Sequence, residues 1–348
     1  MISPYGPGWI GGISKFTMSL SEALRRIGLE CEVVVHEGGV PGLTTEFGGP
    51  KILFAIRAAV WLHRHPAHVL HAHGHWYALL PAVIYKRLHR DAKIMFSVHT
   101  PPRRAPRFAS WLLAKLMSRC DVVTGVSEET VRWLSRFLPR DVTILKIHPG
   151  ATIQDGAYLE SRHKLAIPDA CFVATFVGPL YWSEKVAGVK LLARAFQDFA
   201  RSVPETRLFV VGGGPLLSEI RNAVADFDPN TQVVLVGETA DASPYIHACD
   251  VYTHVSYMEG LPLSLLEAML AGKAVIASNV GDIPDLVRTG EVGILVTNDK
   301  DEITAALSAL HRNPALRDRL GGAGRHLVLQ EYTWESVARK FLAAYNGA

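Results

Sequence analysis

The chain has 348 residues, of which 49% are hydrophobic and 20% are charged. This composition is that of a globular protein and excludes an intrinsically disordered chain, while the length predicts two domains. Residues 1–160 carry 19 Lys and Arg against 12 Asp and Glu, a net charge of +7, and the remainder carries −4. The basic first half predicts an anionic partner such as a phosphate group, a nucleic acid or an anionic lipid.

Short runs rich in Val and Ile alternate with amphipathic segments along the chain, which is typical of buried parallel strands and their covering helices. The strands are predicted at 1–3, 33–35, 69–71, 94–98, 122–126, 142–147, 172–177, 208–211, 233–236, 251–254, 274–277 and 293–296. The clearest helical patterns are at 14–27, 263–270, 302–310 and 334–345. Residues 1–3 leave little of a first strand, so we expect that strand to be cropped. The repeated βα units predict doubly wound parallel sheets, which bind ligands at the carboxyl ends of their strands.

Turn signals of Pro, Gly and Asp at 148–168 separate two series of βα units. The sequence therefore predicts a Rossmann-like domain at 1–160 and a second one at 161–330, facing each other across a cleft.

The cysteines and the start of the chain bear on the cellular location. Cys31, Cys120, Cys171 and Cys249 are far apart and form no Cys-x-x-Cys pair, so neither a zinc site nor a disulfide scaffold is predicted. No apolar run reaches the roughly 18 to 20 residues of a membrane span, and the first residues do not resemble a signal peptide. We expect a cytoplasmic protein, with peripheral contact at the inner face of the membrane as an open alternative.

The most informative motif is Glu259-Gly-Leu-Pro-Leu-Ser-Leu-Leu-Glu267, which follows the predicted strand at 251–254. Pro262 suits a first helical turn, which places Glu267 just over one turn into a helix. The amides of Gly260–Leu263 would face an anion, and a carboxylate at either edge could accept hydrogen bonds from sugar hydroxyls. The spacing alone also fits an ordinary amphipathic helix with a solvated glutamate at each end.

Three histidines alternate at His71, His73 and His75, which on one strand would place them on the same face. A metal site is one interpretation. Histidines that line a site or a core fit better, because no acidic or Cys ligand is nearby.

Two Asp-x-Asp segments, Asp226–Asp228 and Asp299–Asp301, fit a metal motif, but surface turns explain both. The glycine run Gly212–Pro215 fails the dinucleotide fingerprint, since Leu217 stands where the last glycine should be. We therefore predict no metal site and no resident cofactor.

The segment 101–119 combines basic and apolar side chains. They are Arg103, Arg104, Arg107, Lys115 and Arg119, with Phe108, Trp111, Leu112 and Leu116. This segment could lie on an anionic membrane, and the pattern also fits a helix packed on the sheet with a solvated basic face. Nucleic-acid binding is not predicted, because no recognised motif accompanies the charge.

Residues 252–279 resemble the donor-site signature of the family 4 glycosyltransferases, S-x-x-E-G-x-P-x-x-x-x-E-A-x-x-x-G-x-x-V-I-A-S. Other matches follow in the order of that family: Gly11-Gly12-Ile13, His71-Ala-His73, Ser97-Val-His99-Thr100, Gly125-Val-Ser127-Glu128, Phe176-Val-Gly178, Lys185 and Val211-Gly-Gly-Gly-Pro215. The resemblance covers essentially the whole chain. It implies a GT-B fold, a nucleotide-sugar donor, retention of anomeric configuration and no catalytic metal.

The resemblance also implies roles for the residues of the second domain. Glu267 resembles the carboxylate that holds the ribose hydroxyls, and Glu259 the one near the donor sugar. The backbone of Gly260, Leu261, Pro262 and Leu263 resembles part of the cradle for the diphosphate. Lys185 resembles the cation that stabilises the leaving diphosphate, with Gly178 and Gly213 beside it.

The first domain contributes glycines and histidines under the same resemblance. Gly11 and Gly12 would bring backbone amides close to the phosphates, although a turn glycine is the simpler interpretation of each. His99 resembles the histidine beside the reacting sugar, while His73 and His75 would lie on the acceptor side. We thus expect Lys185, Glu259 and His99 to be catalytic.

One departure from the family pattern stands beside Gly178, where Pro179 replaces an arginine that pairs with the lysine on the diphosphate. Pro179 cannot donate a hydrogen bond, so either Lys185 acts alone or Lys190, Arg194 or an arginine of the other domain compensates.

The predicted function is that of a retaining glycosyltransferase that transfers a sugar from a nucleotide donor bound by 161–330 to an acceptor bound by 1–160. The last helix, within 331–348, would pack back on the first domain. The acceptor could be a glycan, a lipid-linked saccharide or a small molecule. An epimerase or phosphorylase of the same fold, or a non-catalytic nucleotide-binding relative, stays open as an alternative.

Overall fold

The computed structural model describes residues 1–9, 12–99, 107–227 and 232–347. The chain divides into two units, of which unit 1 comprises Met1–Gly150 and Thr333–Ala348 and unit 2 comprises Ala151–Tyr332. The division lies ten residues before the boundary at 160, and the amide of Ala151 donates to the carbonyl of Tyr332, 2.7 Å away, within unit 2.

Unit 1 alternates strands and helices. Its strands are β1 Ile2–Tyr5, β2 Val34–Glu37, β3 Thr45–Glu46, β4 Val69–His73, β5 Lys93–Val98, β6 Val122–Gly125 and β7 Thr143–Lys146. Its helices are α1 Gly12–Arg26, α2 Lys51–Arg64, α3 Trp76–Leu88, α4 Arg107–Met117, α5 Glu128–Phe137 and, from the end of the chain, α14 Trp334–Gly347. The strands form a parallel sheet in the order β3-β2-β1-β4-β5-β6-β7.

The sheet of unit 1 is covered on both faces. On one face, α2, α3 and α4 pack over the inward side chains of the central strands, such as Phe96. On the other face, α1 and α14 pack together through Phe16, Trp334 and Phe341. Helix α14 belongs to unit 1 because its aromatic stripe completes this second core.

Unit 2 repeats the same architecture with a six-stranded sheet. Its strands are β8 Phe172–Val177, β9 Thr206–Val211, β10 Gln232–Gly237, β11 Val251–His254, β12 Ala274–Ser278 and β13 Ile294–Val296. Its helices are α6 Tyr158–Lys164, α7 Ser183–Ala200, α8 Leu217–Val224, α9 Ser243–Ala248, α10 Leu263–Leu270, α11 Ile283–Leu286, α12 Lys300–Arg312 and α13 Pro314–Glu331. The parallel strands lie in the order β10-β9-β8-β11-β12-β13, with buried apolar clusters on both faces.

The two parallel α/β sheets confirm the fold class predicted from the alternating pattern. Two details of unit 1 differ from the prediction. Strand β1 extends past Ser3 to Tyr5, since Pro4 interrupts the apolar run without breaking the extended backbone. Strand β3 was not predicted, because two residues at a sheet edge carry no periodic signal.

Candidate functional site

The order of strands in unit 2 creates a crevice at the carboxyl end of its sheet. Strand β8 continues towards β9 on one side, while its other neighbour, β11, continues towards β12. The loops after β8 and β11 therefore lead away from each other. The crevice between them is the place where doubly wound sheets bind ligands. Lys185 follows β8 and Glu259 follows β11, so the fold brings these two predicted residues together from separate strands.

The carboxylate of Glu259 accepts two hydrogen bonds on the same oxygen. The ammonium of Lys185 lies 2.8 Å from Oε1, and Nε2 of His254 lies 3.0 Å from it. Nδ1 of His254 lies 3.3 Å from the hydroxyl of Tyr252, which donates to the carbonyl of Val177, also 3.3 Å away. The ring of His254 is completely buried and stacks on Phe176 with centroids 5.3 Å apart.

Burial and hydrogen bonding set the protonation states of Glu259 and His254. Burial alone would raise the pKa of Glu259, but the bonds from His254 and Lys185 outweigh burial and lower that pKa to about 2. Burial lowers the pKa of His254 more than its Glu259 partner raises it. Glu259 is therefore an anion held between the Lys185 ammonium and a neutral imidazole at neutral pH.

Two glycines allow the backbone segments around this cluster to lie close together. A Cβ on Gly188 of α7 would lie 2.3 Å from the carbonyl oxygen of Val255 and 2.6 Å from Cα of Ser256. Gly281 has a φ of +59°, and a Cβ there would lie 2.1 Å from the carbonyl oxygen of Glu259. Both positions exclude a side chain, because α7 and the loop after β12 press directly on the chain that leads to Glu259.

The predicted cradle lies at the start of α10. Pro262 is the N-cap residue and the helix begins at Leu263, with no side chain capping it. The carbonyl of Gly260 accepts from the amide of Asp282, 3.2 Å away, which fixes the loop before the helix. The first-turn amides of α10 thus sit at the crevice end of the helix, where its dipole favours an anion.

Glu267 lies at the fifth position of α10, one turn past Ser264. Ser264 donates to the carbonyl of Val177 at the end of β8, 2.8 Å away, and thereby holds α10 against that strand. Burial raises the pKa of Tyr252, and the charge of Glu267 adds to the rise.

The glycines of unit 2 lie in the same crevice. The amide of Gly178 donates to the carbonyl of Val211, and the amide of Leu180 donates to the carbonyl of Gly213, each over 2.9 Å. These bonds join the loops that follow β8 and β9.

The order of strands in unit 1 places a second crevice at the carboxyl ends of β1 and β4. Nδ1 of His73, at the end of β4, lies 3.3 Å from Nε2 of His99, which follows β5. The ring of His99 also meets the edge of Phe16 at a centroid distance of 4.7 Å. Burial lowers the pKa of His99 to about 4, and it lowers the pKa of His73 well below its ordinary value. Gly12 opens α1 beside β1, whereas Gly11 lies outside the described residues.

The prediction that three histidines share one strand face is wrong for His75. Strand β4 ends at His73, and Gly74 turns the chain with a φ of +75°. His75 is consequently the N-cap residue of α3 and stacks on Tyr77 with centroids 5.4 Å apart. His71 stays on the strand, where its two nitrogens lie 2.7 Å from the hydroxyls of Tyr345 and Ser97.

Contacts of described residues bear on two other interpretations. The ammonium of Lys190 pairs with Glu219 of α8 at the surface, so this cation already has an acidic partner. In the segment 101–119, Leu116 is buried in the core of unit 1, whereas Trp111 is 56% exposed. Residues 100–106 lie outside the described part of the chain.

One of the two acidic motifs has a structural explanation. Asp299 caps α12, since its carboxylate accepts from the amides of Asp301 and Glu302. Asp228 is outside the described residues. In the part of the chain that the structure describes, no three His, Cys, Asp or Glu residues are grouped as metal ligands, and no helix is long and apolar enough to cross a bilayer.

His254 is the site residue that the sequence analysis did not identify. The available signal was its position at the end of β11, five residues before Glu259. A histidine at a strand end is ambiguous until the partner across the turn is known, so the sequence alone did not separate it from the core.

Two family models match the chain, one in each unit. The model described as Glycosyltransferase Family 4 matches residues 10–152, and the model described as Glycosyl transferases group 1 matches residues 171–313. The two matches together cover most of the chain.

Similar proteins include a mannosyltransferase and a maltose-1-phosphate synthase by name. A GDP-mannose-dependent alpha-(1-6)-phosphatidylinositol monomannoside mannosyltransferase of Mycolicibacterium smegmatis is 32% identical over 170 residues, which span 46% of this chain and 44% of that protein. Alpha-maltose-1-phosphate synthase of the same organism is 25% identical over 99% of this chain and 98% of its own length.

Solved structures share the fold at low identity. HepE of Anabaena in complex with UDP has a TM-score of 0.80 and 16% identity, with all of both chains covered. Sucrose-phosphate synthase of Thermosynechococcus elongatus has a TM-score of 0.77 and 19% identity, covering 100% of this chain and 95% of that one.

Proposed function

Because this chain belongs to the family 4 glycosyltransferases and has their GT-B fold, we propose that it transfers a sugar from a nucleoside diphosphate sugar to an acceptor hydroxyl, with retention and without a metal ion. The observation that carries the proposal is the crevice of unit 2, where Lys185, Glu259 and the start of α10 converge. Unit 2 would bind the donor and unit 1 the acceptor.

A nucleoside diphosphate fits this crevice by charge and by hydrogen bonding. The first-turn amides of α10 and the ammonium of Lys185 are donors for the diphosphate oxygens. Glu267 would accept from the ribose hydroxyls. Both bonds to Glu259 end on Oε1, so Oε2 would accept from a hydroxyl of the donor sugar.

The transfer breaks the bond between the anomeric carbon and the diphosphate oxygen and forms a bond to the acceptor oxygen. The positive charge of Lys185 stabilises the diphosphate as it leaves, and the leaving phosphate can take the acceptor proton. The carboxylate of Glu259 is engaged by the bonds from Lys185 and His254, which stabilise the anion and make it a weaker nucleophile. A front-side displacement on one face of the sugar therefore agrees better with this site than a glycosyl-enzyme intermediate on Glu259. His99 would contact the reacting sugar as a neutral hydrogen-bonding group.

Nucleotide binding tests the donor site directly. We expect one of UDP, GDP or ADP to raise the melting temperature, with the same shift in EDTA. A nucleotide at about 100 times its dissociation constant adds roughly 2.7 kcal/mol of stability. The absence of a shift with all three nucleotides would contradict a nucleoside diphosphate site, and a shift abolished by EDTA would contradict metal independence.

Two matched variants test the residue assignment. Lys185→Ala should lower the transfer rate at least a hundredfold, whereas Lys190→Ala, on the same helix but paired with Glu219, should leave the rate nearly unchanged. Glu267→Ala should weaken nucleotide binding. Wild-type turnover in Lys185→Ala would refute the assignment, and conversion of the donor sugar without any acceptor would point to an epimerase.

A further inference from the structure

Helix α2 is apolar on its outward side as well as on the side that packs in unit 1. Its inward side chains lie in the core, namely Phe54, Ala58 and Leu62. Ile52, Ile56 and Val60 point outward and are 65%, 52% and 50% exposed. Their spacing of four residues places them in one row along a helix about 21 Å long. A solvated helix face is normally polar, so this row indicates contact with another surface.

The other exposed residues of α2 show the chemistry of that surface. Apart from Leu53 they are Lys51, Arg57, His63 and Arg64. The helix contains neither Asp nor Glu. Long basic side chains beside an apolar row complement a bilayer, because their stems lie along the acyl boundary while their charges reach the lipid phosphates.

Two contacts hold the basic side chains at the edges of the row. The ammonium of Lys51 lies 5.4 Å from the ring centroid of Tyr77. The guanidinium of Arg57 donates to the carbonyl of Gly48, 3.4 Å away. The row of Ile52, Ile56 and Val60 stays exposed, with the basic side chains at its edges. A second protein copy would place these cations opposite one another, so charge favours an anionic lipid surface over a symmetric dimer.

We propose that the outward face of α2 docks on an anionic membrane surface, with Ile52, Ile56 and Val60 in the boundary between headgroups and acyl chains. Arg57 and Arg64 contact the lipid phosphates. Trp111 of α4, in the segment 101–119, lies in the same layer of helices and is exposed, whereas Leu116 of that helix is buried. The proposal stands on unit 1 alone and does not depend on the transfer reaction.

Co-sedimentation with vesicles tests the proposal on the full chain. We expect pelleting with phosphatidylcholine vesicles that contain about one-third phosphatidylglycerol, and little pelleting with phosphatidylcholine alone. Raising the salt from about 0.05 M to about 0.5 M should weaken the binding, because lipid and protein charges are then screened.

Variants separate the apolar and the charged contributions. Ile52→Gln/Ile56→Gln/Val60→Gln should lower the partition coefficient at least about tenfold. Arg57→Glu/Arg64→Glu should lower it at least about 25-fold, since each basic residue near the surface contributes about fivefold.

Matched controls come from surfaces outside α2. Arg339→Glu/Lys340→Glu makes the same change in charge on α14, which covers the opposite face of the sheet. Leu159→Gln/Leu329→Gln removes exposed apolar side chains from unit 2. Both controls should keep the wild-type partition coefficient.

Equal, negligible pelleting with both kinds of vesicle would overturn the proposal. So would a dimer in light scattering that the α2 triple variant dissociates, because a second copy would then cover the row. All α2 variants should keep the wild-type melting temperature and nucleotide-induced shift, which separates loss of docking from misfolding and from failure of the donor site.

Discussion

The pair formed by Lys185 and Glu259 is expected to contribute to the stability of unit 2 as well as to its site. Both side chains are nearly buried, with 9% and 11% of their surfaces exposed. Lys185→Met removes the ammonium and leaves the carboxylate with His254 as its remaining partner. Glu259→Gln removes the charge from the other side.

The magnitude follows from the pKa of Glu259. A value of about 2 in place of about 4.5 corresponds to roughly 3 kcal/mol of net stabilisation of the anion. Breaking a buried pair costs about 3 to 5 kcal/mol, and the bond from His254 offsets part of this, so we expect Lys185→Met to cost about 2 to 3 kcal/mol. Because each single variant leaves the other group without its opposite charge, the double variant should cost about 2 kcal/mol less than the sum of the two.

The assay is a double-mutant cycle in urea, read from hydrogen exchange of the amides in β8 and β11, which report the opening of unit 2. The matched control is Lys190→Met/Glu219→Gln, a more exposed pair on α7 and α8, for which we expect a coupling below about 1 kcal/mol. A coupling below about 0.5 kcal/mol for Lys185 and Glu259 would refute the reasoning.

Three further predictions concern stability. Unit 1 should lose stability as the pH falls from about 6.5 to 4, by roughly 3 kcal/mol from His99 alone. The reason is that the imidazole of the unfolded chain gains a proton in this range, whereas the folded one, with a pKa of about 4, does not. Urea unfolding measured across this range would show the same stability at every pH if the reasoning fails. Gly281→Ala should cost at least about 2 kcal/mol more than Gly290→Ala in urea unfolding, since both have positive φ but only Gly281 presses on a backbone carbonyl; equal costs would argue against that contact. Asp299→Ala should cost about 1 kcal/mol through the lost helix cap, and Asp301→Ala almost nothing, because its side chain is 89% exposed; thermal unfolding that ranks them the other way would contradict the capping role.

Local pattern was sufficient for most of the fold. The Val- and Ile-rich runs gave β8 and β11 with the bounds that the structure has, because a buried parallel strand is apolar on both faces. The prediction failed where one residue changes the local geometry. Gly74 follows the end of β4, and its positive φ turns the chain so that His75 is no longer on the strand. Hydrophobic periodicity does not predict whether a glycine adopts a positive φ.

The candidate site was predicted in its residues but not in its contacts. Lys185 and Glu259 belong to motifs that can be recognised in the sequence. Their ion pair, however, requires β8 and β11 to be neighbours, and no local sequence pattern specifies the order of strands. His254 was missed for the same reason. Its role in the site depends on its hydrogen bond to the carboxylate of Glu259, which the turn after β11 brings back towards it.

The contact at Gly188 has a mechanical consequence. With no side chain between α7 and the Val255–Ser256 backbone, the helix cannot slide or tilt there without pushing the strand end that leads to Glu259. The helix that holds Lys185 and the loop that holds Glu259 therefore behave as one stiff piece. We therefore expect any hinge within unit 2 to lie outside that piece, and the spacing between its cation and its anion to be set at folding.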